Sequence, residues 1–248
     1  MTPQKNVLGL VTARGKSTRL PRKNIMDFCG KPMIAWTIEA GLQSGAFDRF
    51  ILSTDDPEIA EIGKKYGIEV PFLRPAEFAT ETSSSYDTVK HAVEWLRDNQ
   101  QYENEHIVLL EPPAPGRRPF HIREVAEIIR TNNEVDSVMG VSLLPNHYHP
   151  QKIVARNDDG TIVRFHNGKP IRETLVRNQD FPTAYFTNSC IYAFKTANLF
   201  VAKNPSLWGD RVHGYVMDNK YAFDIDTPDD LRFATIKMKM LLEEEESS

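Results

Sequence analysis

Two stretches of this sequence carry residue types whose spacing suits reaction chemistry. The first is A-R-G-K-S-T-R-L-P-R-K-N, Ala13 to Asn24, in which five of twelve residues are cationic: Arg14, Lys16, Arg19, Arg22 and Lys23. A bend at Gly15, directly after an apolar run, brings backbone N–H groups together with ammonium and guanidinium groups, which suits a polyphosphate. Gly15-Lys16-Ser17 has the look of a Walker A loop, but five residues separate Gly9 from Gly15, one more than that loop allows, and Pro21 interrupts the helix that should follow. The plain alternative is a solvated basic loop. The second stretch is A-F-D-I-D-T-P-D-D, Ala222 to Asp230. On an extended segment Asp224 and Asp226 project to the same side, because side chains alternate with period two. Two adjacent carboxylates are costly without a cation, and Mg²⁺ accepts one or two carboxylates completed by phosphate oxygens and water. The plain alternative is that Asp226 or Thr227 caps a helix beginning at Pro228.

The elements that must position these residues follow from the apolar pattern. Asn6 to Thr12 reads as a buried strand, followed by the polar loop 13–31 and a helix from Pro32 to Ser44 with proline at its start. Arg49 to Thr54 is a strand and Asp56 to Tyr66 a helix; I-E-V-P-F-L (68–73) is a third strand. Ser84 to Arg97 places Val89, Val93 and Leu96 on one helical face. A strand at Ile107 to Leu110, a helix at Pro119 to Thr131 and a strand at Val135 to Val141 continue the alternation. This predicts an α/β fold: a mostly parallel, Rossmann-like nucleotide-binding sheet with helices on both faces. Ligands of such sheets bind beyond the carboxyl ends of the strands, which aligns the loops 13–31, 53–56, 73–85 and 111–118 on one rim. Near Pro145 the pattern changes. Residues 146–189 read as a small β-rich insertion, with K-I-V-A and T-I-V-R-F flanking a turn at Asn157 to Gly160. The α/β pattern resumes with strands at Cys190 to Phe194 and Tyr221 to Ile225 and a closing helix from Thr227 to Leu242. The domain thus comprises 1–145 and 190–248, and the acidic tail is expected to fray.

Composition bounds the rest. The chain has 248 residues, 40% hydrophobic and 26% charged, with a net charge of −4. Glu243 to Glu246 alone supply four negatives, so the body is near neutral. A broadly basic nucleic-acid binder is not expected. Two cysteines, Cys29 and Cys190, cannot build a disulfide framework and are expected as reduced thiols in a cytoplasmic protein. The apolar stretch from Val7 to Ala13 is too short for a signal peptide core, and no run reaches the roughly 20 residues needed to span a bilayer. His147 and His149 flank Tyr148 ahead of the insertion and are read as part of a turn, not as a metal pair.

Taken together, A-R-G-K-S-T-R-L-P-R-K-N, G-K-P-M-I-A-W-T-I-E-A, I-L-S-T-D-D-P-E-I-A-E-I-G-K-K-Y-G-I-E-V-P-F-L-R-P, H-P-Q-K-I-V, T-N-S-C-I-Y-A-F and F-D-I-D run in order from Val11 to Asp230. In this the chain resembles the acylneuraminate (CMP-sialic acid) cytidylyltransferases, the CMP-sugar-acid synthetases. The resemblance implies transfer of CMP from CTP to the anomeric hydroxyl of a 2-keto-3-deoxy sugar acid, release of pyrophosphate, Mg²⁺, and a homodimer joined through a protruding arm. By position it implies that Ala13, Arg14, Ser17, Lys23, Asn24, Arg74 and Ser85 contact the nucleotide, with Arg14, Lys23 and Asp224 in catalytic roles. Asp224 and Asp226 match the metal carboxylates. Lys152 and Arg177 resemble arm residues that reach the partner's sugar site, and Asn188 and Arg117 fall among the sugar-site positions.

The departures from the family pattern cluster around the acceptor. Where the family shows glutamine and then P-T-S-P-L-R, this chain has Glu111, Pro112, Pro113, Ala114, Pro115, Gly116 and Arg117, and Ser189 replaces a glycine. Thr18 stands at a common lysine position and Phe186 where some sialic-acid enzymes place arginine. An ionised glutamate only accepts hydrogen bonds, whereas the glutamine also donates. Two readings of Glu111 follow: an acceptor other than plain N-acetylneuraminate, or a carboxyl that is held protonated or turned toward Arg117 or Arg118. Other outcomes left open are an octulosonate acceptor and a catalytically weakened nucleotide-binding homologue.

Overall fold

The computed structural model describes residues 6–80, 82–173 and 181–247, and every structural statement below concerns those residues. The expected strand–helix alternation is present. Strands β1 (Val7–Ala13), β4 (Arg49–Thr54), β5 (His106–Leu110), β6 (Ser137–Leu143), β9 (Tyr185–Lys195) and β10 (Val212–Val216) form one sheet in the order β10-β6-β9-β5-β1-β4. All pairs are parallel except those of β9, which runs antiparallel to both β5 and β6. Short strands β2 (Asp27–Phe28) and β3 (Lys31–Pro32) pair with each other below the basic loop, and β7 (Val154–Arg156) pairs with β8 (Ile162–Arg164) in the insertion.

Period-two alternation decides how the sheet is covered. Val7, Val11, Leu52, Val108 and Leu110 point into one core with Ile34 and Ile38 of α1 (Met33–Ser44), Ile59 of α2 (Pro57–Lys65) and Ile122 of α4 (Pro119–Thr131). Leu8, Leu10, Ile51, Ile107 and Leu109 point to the other face, against Val89, Ala92, Val93 and Leu96 of α3 (Ser85–Gln100). A strand buried on both faces reads as a continuous apolar run, as β1 and β5 do. The closing helix α5 (Pro228–Glu246) packs Ala234 and Met238 onto Leu20, Phe28 and Ile225, beneath the basic loop. Its start is fixed by a capping box between Thr227 and Asp230.

Several elements differ from their expected form. The stretch 68–73 runs beside β4 through single bridges, Ile51 to Glu69 and Thr54 to Leu73; Pro71 lacks the N–H that a continuous ladder needs. Tyr221 to Ile225 is not a sheet strand: the Ile225 N–H donates to the Pro113 carbonyl instead. The sheet edge is β10, a short strand holding Gly214, whose partner β6 lies some seventy residues earlier. β9 begins at Tyr185, so the boundary between 189 and 190 falls inside a strand. The acidic tail does not fray at Leu242; α5 continues to Glu246, and its last turns pair Glu244 with Lys220 at 2.7 Å and Glu245 with Arg118. The β7–β8 hairpin forms as expected, closed by a turn with Gly160 at φ 87°.

Candidate active site

The rim formed by the carboxyl ends of β1, β4 and β5 opens into a cleft of about 380 Å³. Arg14, Ser17, Lys23, Asn24, Arg74 and Ser85 line it, as do Glu111, Asp224 and Asp226. Thr12, Thr80 and Ser83, which were not named as contacts, also line it, as does Ser189; Thr12 lies near the end of β1 and Thr80 and Ser83 on the 73–85 rim loop, which is the signal that marks them.

The basic loop is shaped by two aspartates at the end of β4. Asp55 accepts from the Gly15 N–H at 3.0 Å and lies 3.6 Å from the Arg74 guanidinium. Asp56 caps α2 through the N–H groups of Glu58 and Ile59 and binds Arg22 at 2.6 Å. Partial burial works against ionisation of Asp56, but those N–H groups and Arg22 outweigh it and hold its carboxyl below the usual range. A side chain at Gly15 would sit 2.6 Å from the Asp56 carboxylate, so the bend has to be glycine. The Gly15 N–H is therefore used inside the scaffold, and the loop presents side-chain cations in its place.

These cations are not equivalent. Arg22 is held by Asp56 and Glu58, and Arg19 by Asp226 at 2.6 Å. Lys23, largely buried, donates to Asp226 at 2.8 Å. Arg14 forms no ion pair among the described residues; its one hydrogen bond is a long 3.4 Å contact to the Thr80 carbonyl. Its backbone is fixed by Asn24, whose amide donates to the Arg14 carbonyl at 2.9 Å. Arg74 is buried, and burial lowers its pKa against the pull of Asp55. Ala13 is buried at the end of β1 and offers only backbone.

The D-x-D segment carries two carboxylates whose pKa values are shifted in opposite directions. Burial opposes the ionisation of Asp226, but Lys23 and then Arg19 hold its pKa below normal. Asp224 has no ion pair among the described residues, and burial together with the Asp226 charge pushes its pKa up. Glu111 shares this region: burial and then the Asp224 charge raise its pKa, against the Arg117 and Lys23 cations. A wall of three carboxylates, of which Asp224 and Glu111 have no ion pair among the described residues, could take a divalent cation. Among the described residues no cluster of three carboxylate, histidine or cysteine ligands exists to form an all-protein cage. Asp224 and Asp226 are the residues that could hold the expected Mg²⁺, which takes one or two carboxylates with water and phosphate oxygens.

Two residues expected at the acceptor, Arg117 and Asn188, lie elsewhere. Arg117 is buried inside the scaffold. Its guanidinium donates to the carbonyls of Cys190 and Glu111 and to Thr37 Oγ1, tying β5, β9 and α1 together. Burial lowers its pKa to about 10, so it remains charged at neutral pH. Asn188 is also buried; its amide donates to Ser142 Oγ at 3.0 Å and its oxygen accepts from the Cys190 N–H at 3.1 Å. Lys152 lies in the insertion, 5.7 Å from the Phe181 ring, and does not line the cleft of its own protomer. Arg177 lies outside the described residues.

Arg117→Ala should therefore damage folding first. It opens a cavity and strips the cation from two buried carbonyls, at a cost of roughly 3 kcal/mol or more. For a chain of this size that lowers Tm by about 6–12 °C. A thermal melt within 2 °C, on the order of measurement scatter, contradicts the strut role.

The comparisons with known proteins agree with this chemistry. The cytidylyltransferase family matches residues 8–245. The pseudaminic acid cytidylyltransferase of Campylobacter jejuni subsp. jejuni serotype O:23/36 (strain 81-176) is 33% identical over 234 residues, covering 94% of this chain and 96% of that one. The N-acylneuraminate cytidylyltransferase of Streptococcus agalactiae serotype V is 31% identical over 223 residues, 89% of this chain but 50% of that protein. Among solved structures, CMP:2-keto-3-deoxy-manno-octonic acid synthetase complexed with CTP shares the fold with a TM-score of 0.66 at 18% identity, covering 95% of this chain and 99% of that chain. With the family match running nearly end to end over the same rim that carries the basic loop and the D-x-D segment, the chain belongs to the cytidylyltransferases, in the group of CMP-sialic acid-type synthetases.

Proposed function

We propose that this enzyme transfers CMP from CTP to the anomeric hydroxyl of a sialic-acid-like nonulosonic acid, a 2-keto-3-deoxy sugar acid, and releases pyrophosphate. The observation that carries the reading is the lining of the cleft, where the cations Arg14, Lys23 and Arg74 share one rim with the carboxylates Asp224 and Asp226. Such transfers depend mainly on positioning and on neutralising phosphate charge. Arg14 receives the triphosphate, with Asn24 holding its backbone in place. Ser17 and Ser85 line the cleft and offer hydroxyls to the nucleotide. Lys23 lines the cleft and donates to Asp226 at 2.8 Å, so it both orients the carboxylate and offsets its charge. Asp224 and Asp226 would hold Mg²⁺, which supplies charge neutralisation at the reacting phosphate and acidifies a hydroxyl it ligates.

Among named relatives, the pseudaminic acid enzymes cover this chain almost completely, and the CMP-N,N'-diacetyllegionaminic acid synthase of Legionella pneumophila is 39% identical over 143 residues. With glutamate at position 111, these relatives support an acceptor other than plain N-acetylneuraminate. No helix among the described residues is long and apolar enough to cross a membrane, and we place this CTP-consuming step in the cytoplasm.

The active form is proposed to be a homodimer. The insertion leaves Phe165 69% and Tyr148 64% exposed, with Ile153 and Ile162 beside them, an apolar surface that a second copy would cover. Lys152 and Arg177 would then serve the site of the other protomer. The test is pyrophosphate release with each nucleoside triphosphate and a panel of nonulosonates and an octulosonate, run beside sedimentation at assay concentration. CTP-specific release with a nonulosonate, from a dimer, is the expected result. Tight CTP binding without release from any acceptor points to a nucleotide-binding module, and a fully active monomer removes the shared site.

A further inference from the structure

Asp224 and Asp226 sit on a segment that the central sheet does not hold. Residues 218–226 lie outside every strand, so their shape depends on what packs beside them. One support is the loop 113–118. The Ile225 N–H donates to the Pro113 carbonyl at 2.9 Å, and Gly116 lies so close to Tyr221 that a Cβ would come within 2.4 Å of its carbonyl oxygen. The other support is α5. Asp230 in its first turn accepts the Asp226 N–H at 3.1 Å. Farther along, Lys237 donates to the Asn219 carbonyl at 3.0 Å, and Ala234 and Met238 pack with Ile225. Residues 219–226 thus run back along the helix that follows them.

The far end of α5 breaks a local rule. Glu243 to Glu246 put four negative charges at a helix C-terminus, where the free carbonyls already carry partial negative charge, and no basic residue stands in the last turn. Such a turn is destabilised by its own charges. Cations from elsewhere in the chain meet it: Glu245 pairs with Arg118, and Glu244 with Lys220 at 2.7 Å. These two cations belong to the parts that α5 supports. Arg118 is buried at the start of α4, and its guanidinium also reaches the Pro115 and Gly116 carbonyls at 3.4 Å each. Lys220 stands at the start of the stretch that leads to Asp224. Glu243 and Glu246 form no ion pair among the described residues.

We propose that the acidic last turn of α5 is a clasp that positions the D-x-D segment for reaction. Glu245 on Arg118 and Glu244 on Lys220 fasten the end of the helix to the 113–118 loop and to the start of the 219–226 stretch. The segment is held between these supports, with Asp224 and Asp226 at the cleft. Glu244, Glu245, Arg118 and Lys220 are positioning residues; none of the four lines the cleft. The inference rests on the nucleotidyl-transfer reading above, in which the two aspartates hold Mg²⁺. A half-exposed ion pair adds little to overall stability. It matters locally, because a cation binds less tightly to carboxylates that it must first order.

The experiment compares wild type with Glu244→Gln/Glu245→Gln and with Glu243→Gln/Glu246→Gln, which removes the same charge from positions without a partner. Hydrogen exchange of the free protein is followed at 221–226, β1 and β5. Mn²⁺ serves as the probe for the metal, its affinity in the presence of CTP read from the free-ion EPR signal. Pyrophosphate release is measured against Mg²⁺. In Glu244→Gln/Glu245→Gln, exchange at 221–226 is expected to rise and Mn²⁺ affinity to fall, each about tenfold, on the scale of one charge-assisted hydrogen bond. Turnover falls at low Mg²⁺ and recovers with excess. Exchange in β1 and β5 is unchanged, and CTP affinity without metal stays within about twofold. Glu243→Gln/Glu246→Gln behaves as wild type. Lys220→Glu shows the same loss, and Lys220→Glu/Glu244→Lys regains it. Wild-type exchange at 221–226 with wild-type Mn²⁺ affinity in Glu244→Gln/Glu245→Gln overturns the clasp. So does an equal rise of exchange in β1 and β5, which marks global destabilisation, or an equal loss in Glu243→Gln/Glu246→Gln, which marks bulk charge. The two readings fail separately: wild type that releases no pyrophosphate overturns nucleotidyl transfer, and exchange at 221–226 that ignores the ion pairs overturns this inference.

Discussion

Asp224→Asn is expected to abolish nearly all turnover while leaving a well-folded protein. Asp224 faces the cleft without an ion pair among the described residues, so no salt bridge is lost, and the asparagine oxygen can still accept from the Ile225 backbone. Burial and the neighbouring Asp226 raise its pKa, which fixes the sign of its effect on stability. A carboxyl whose pKa is higher folded than unfolded stabilises the fold at low pH and loses that contribution as pH rises through the two values. At neutral pH its charge works against folding, and neutral asparagine leaves Tm equal or higher. Catalysis moves the other way. Asparagine keeps the shape but removes the unpaired negative charge that would bind Mg²⁺, and losing one electrostatic group at a reacting centre costs roughly 10²–10³ in kcat. The measurement is pyrophosphate release as a function of Mg²⁺, with and without chelator. Turnover within a few-fold of wild type at ordinary Mg²⁺ would falsify the metal assignment.

Arg14→Ala is expected to weaken CTP binding roughly 10- to 150-fold, the equivalent of about 1.5–3 kcal/mol for a hydrogen bond to a charged partner. The reasoning is about availability. Arg19, Arg22 and Lys23 already neutralise carboxylates, so removing any of them disturbs the loop as well as the ligand. Arg14 has no such carboxylate partner among the described residues, where its side chain makes one long hydrogen bond, to the Thr80 carbonyl. Its loss should leave Tm within about 1–2 °C, as for a surface substitution. Calorimetry of CTP binding decides the matter, and unchanged affinity removes Arg14 from the triphosphate site.

By itself the sequence determined which chemistry was present. Apolar runs at β1, β4 and β5 alternate between two cores as period two requires, and helix faces such as Val89, Val93 and Leu96 of α3 are packed where their spacing puts them. The density of cations from Arg14 to Lys23 and the carboxylates at 224 and 226 showed that an anion and a cation could be handled, and both stretches do line one cleft. These are local properties, carried by residue type and short spacing. Tertiary structure decided which of those groups are free to act. Arg22 meets Asp56 across 34 residues, and Lys23 and Arg19 meet Asp226 across 203 and 207. No pattern within the loop separates these occupied cations from Arg14. The same holds for Arg117 and Asn188, polar residues that the sequence placed at the sugar and that the fold uses to join β5, β6, β9 and α1. It holds again for Ser189, whose segment lies beside the end of β5 only because β9 runs antiparallel to β5 and bulges against β6. Residue type sets what a side chain can do, but the partner that consumes or releases that capacity is brought to it by strand pairing from distant parts of the chain.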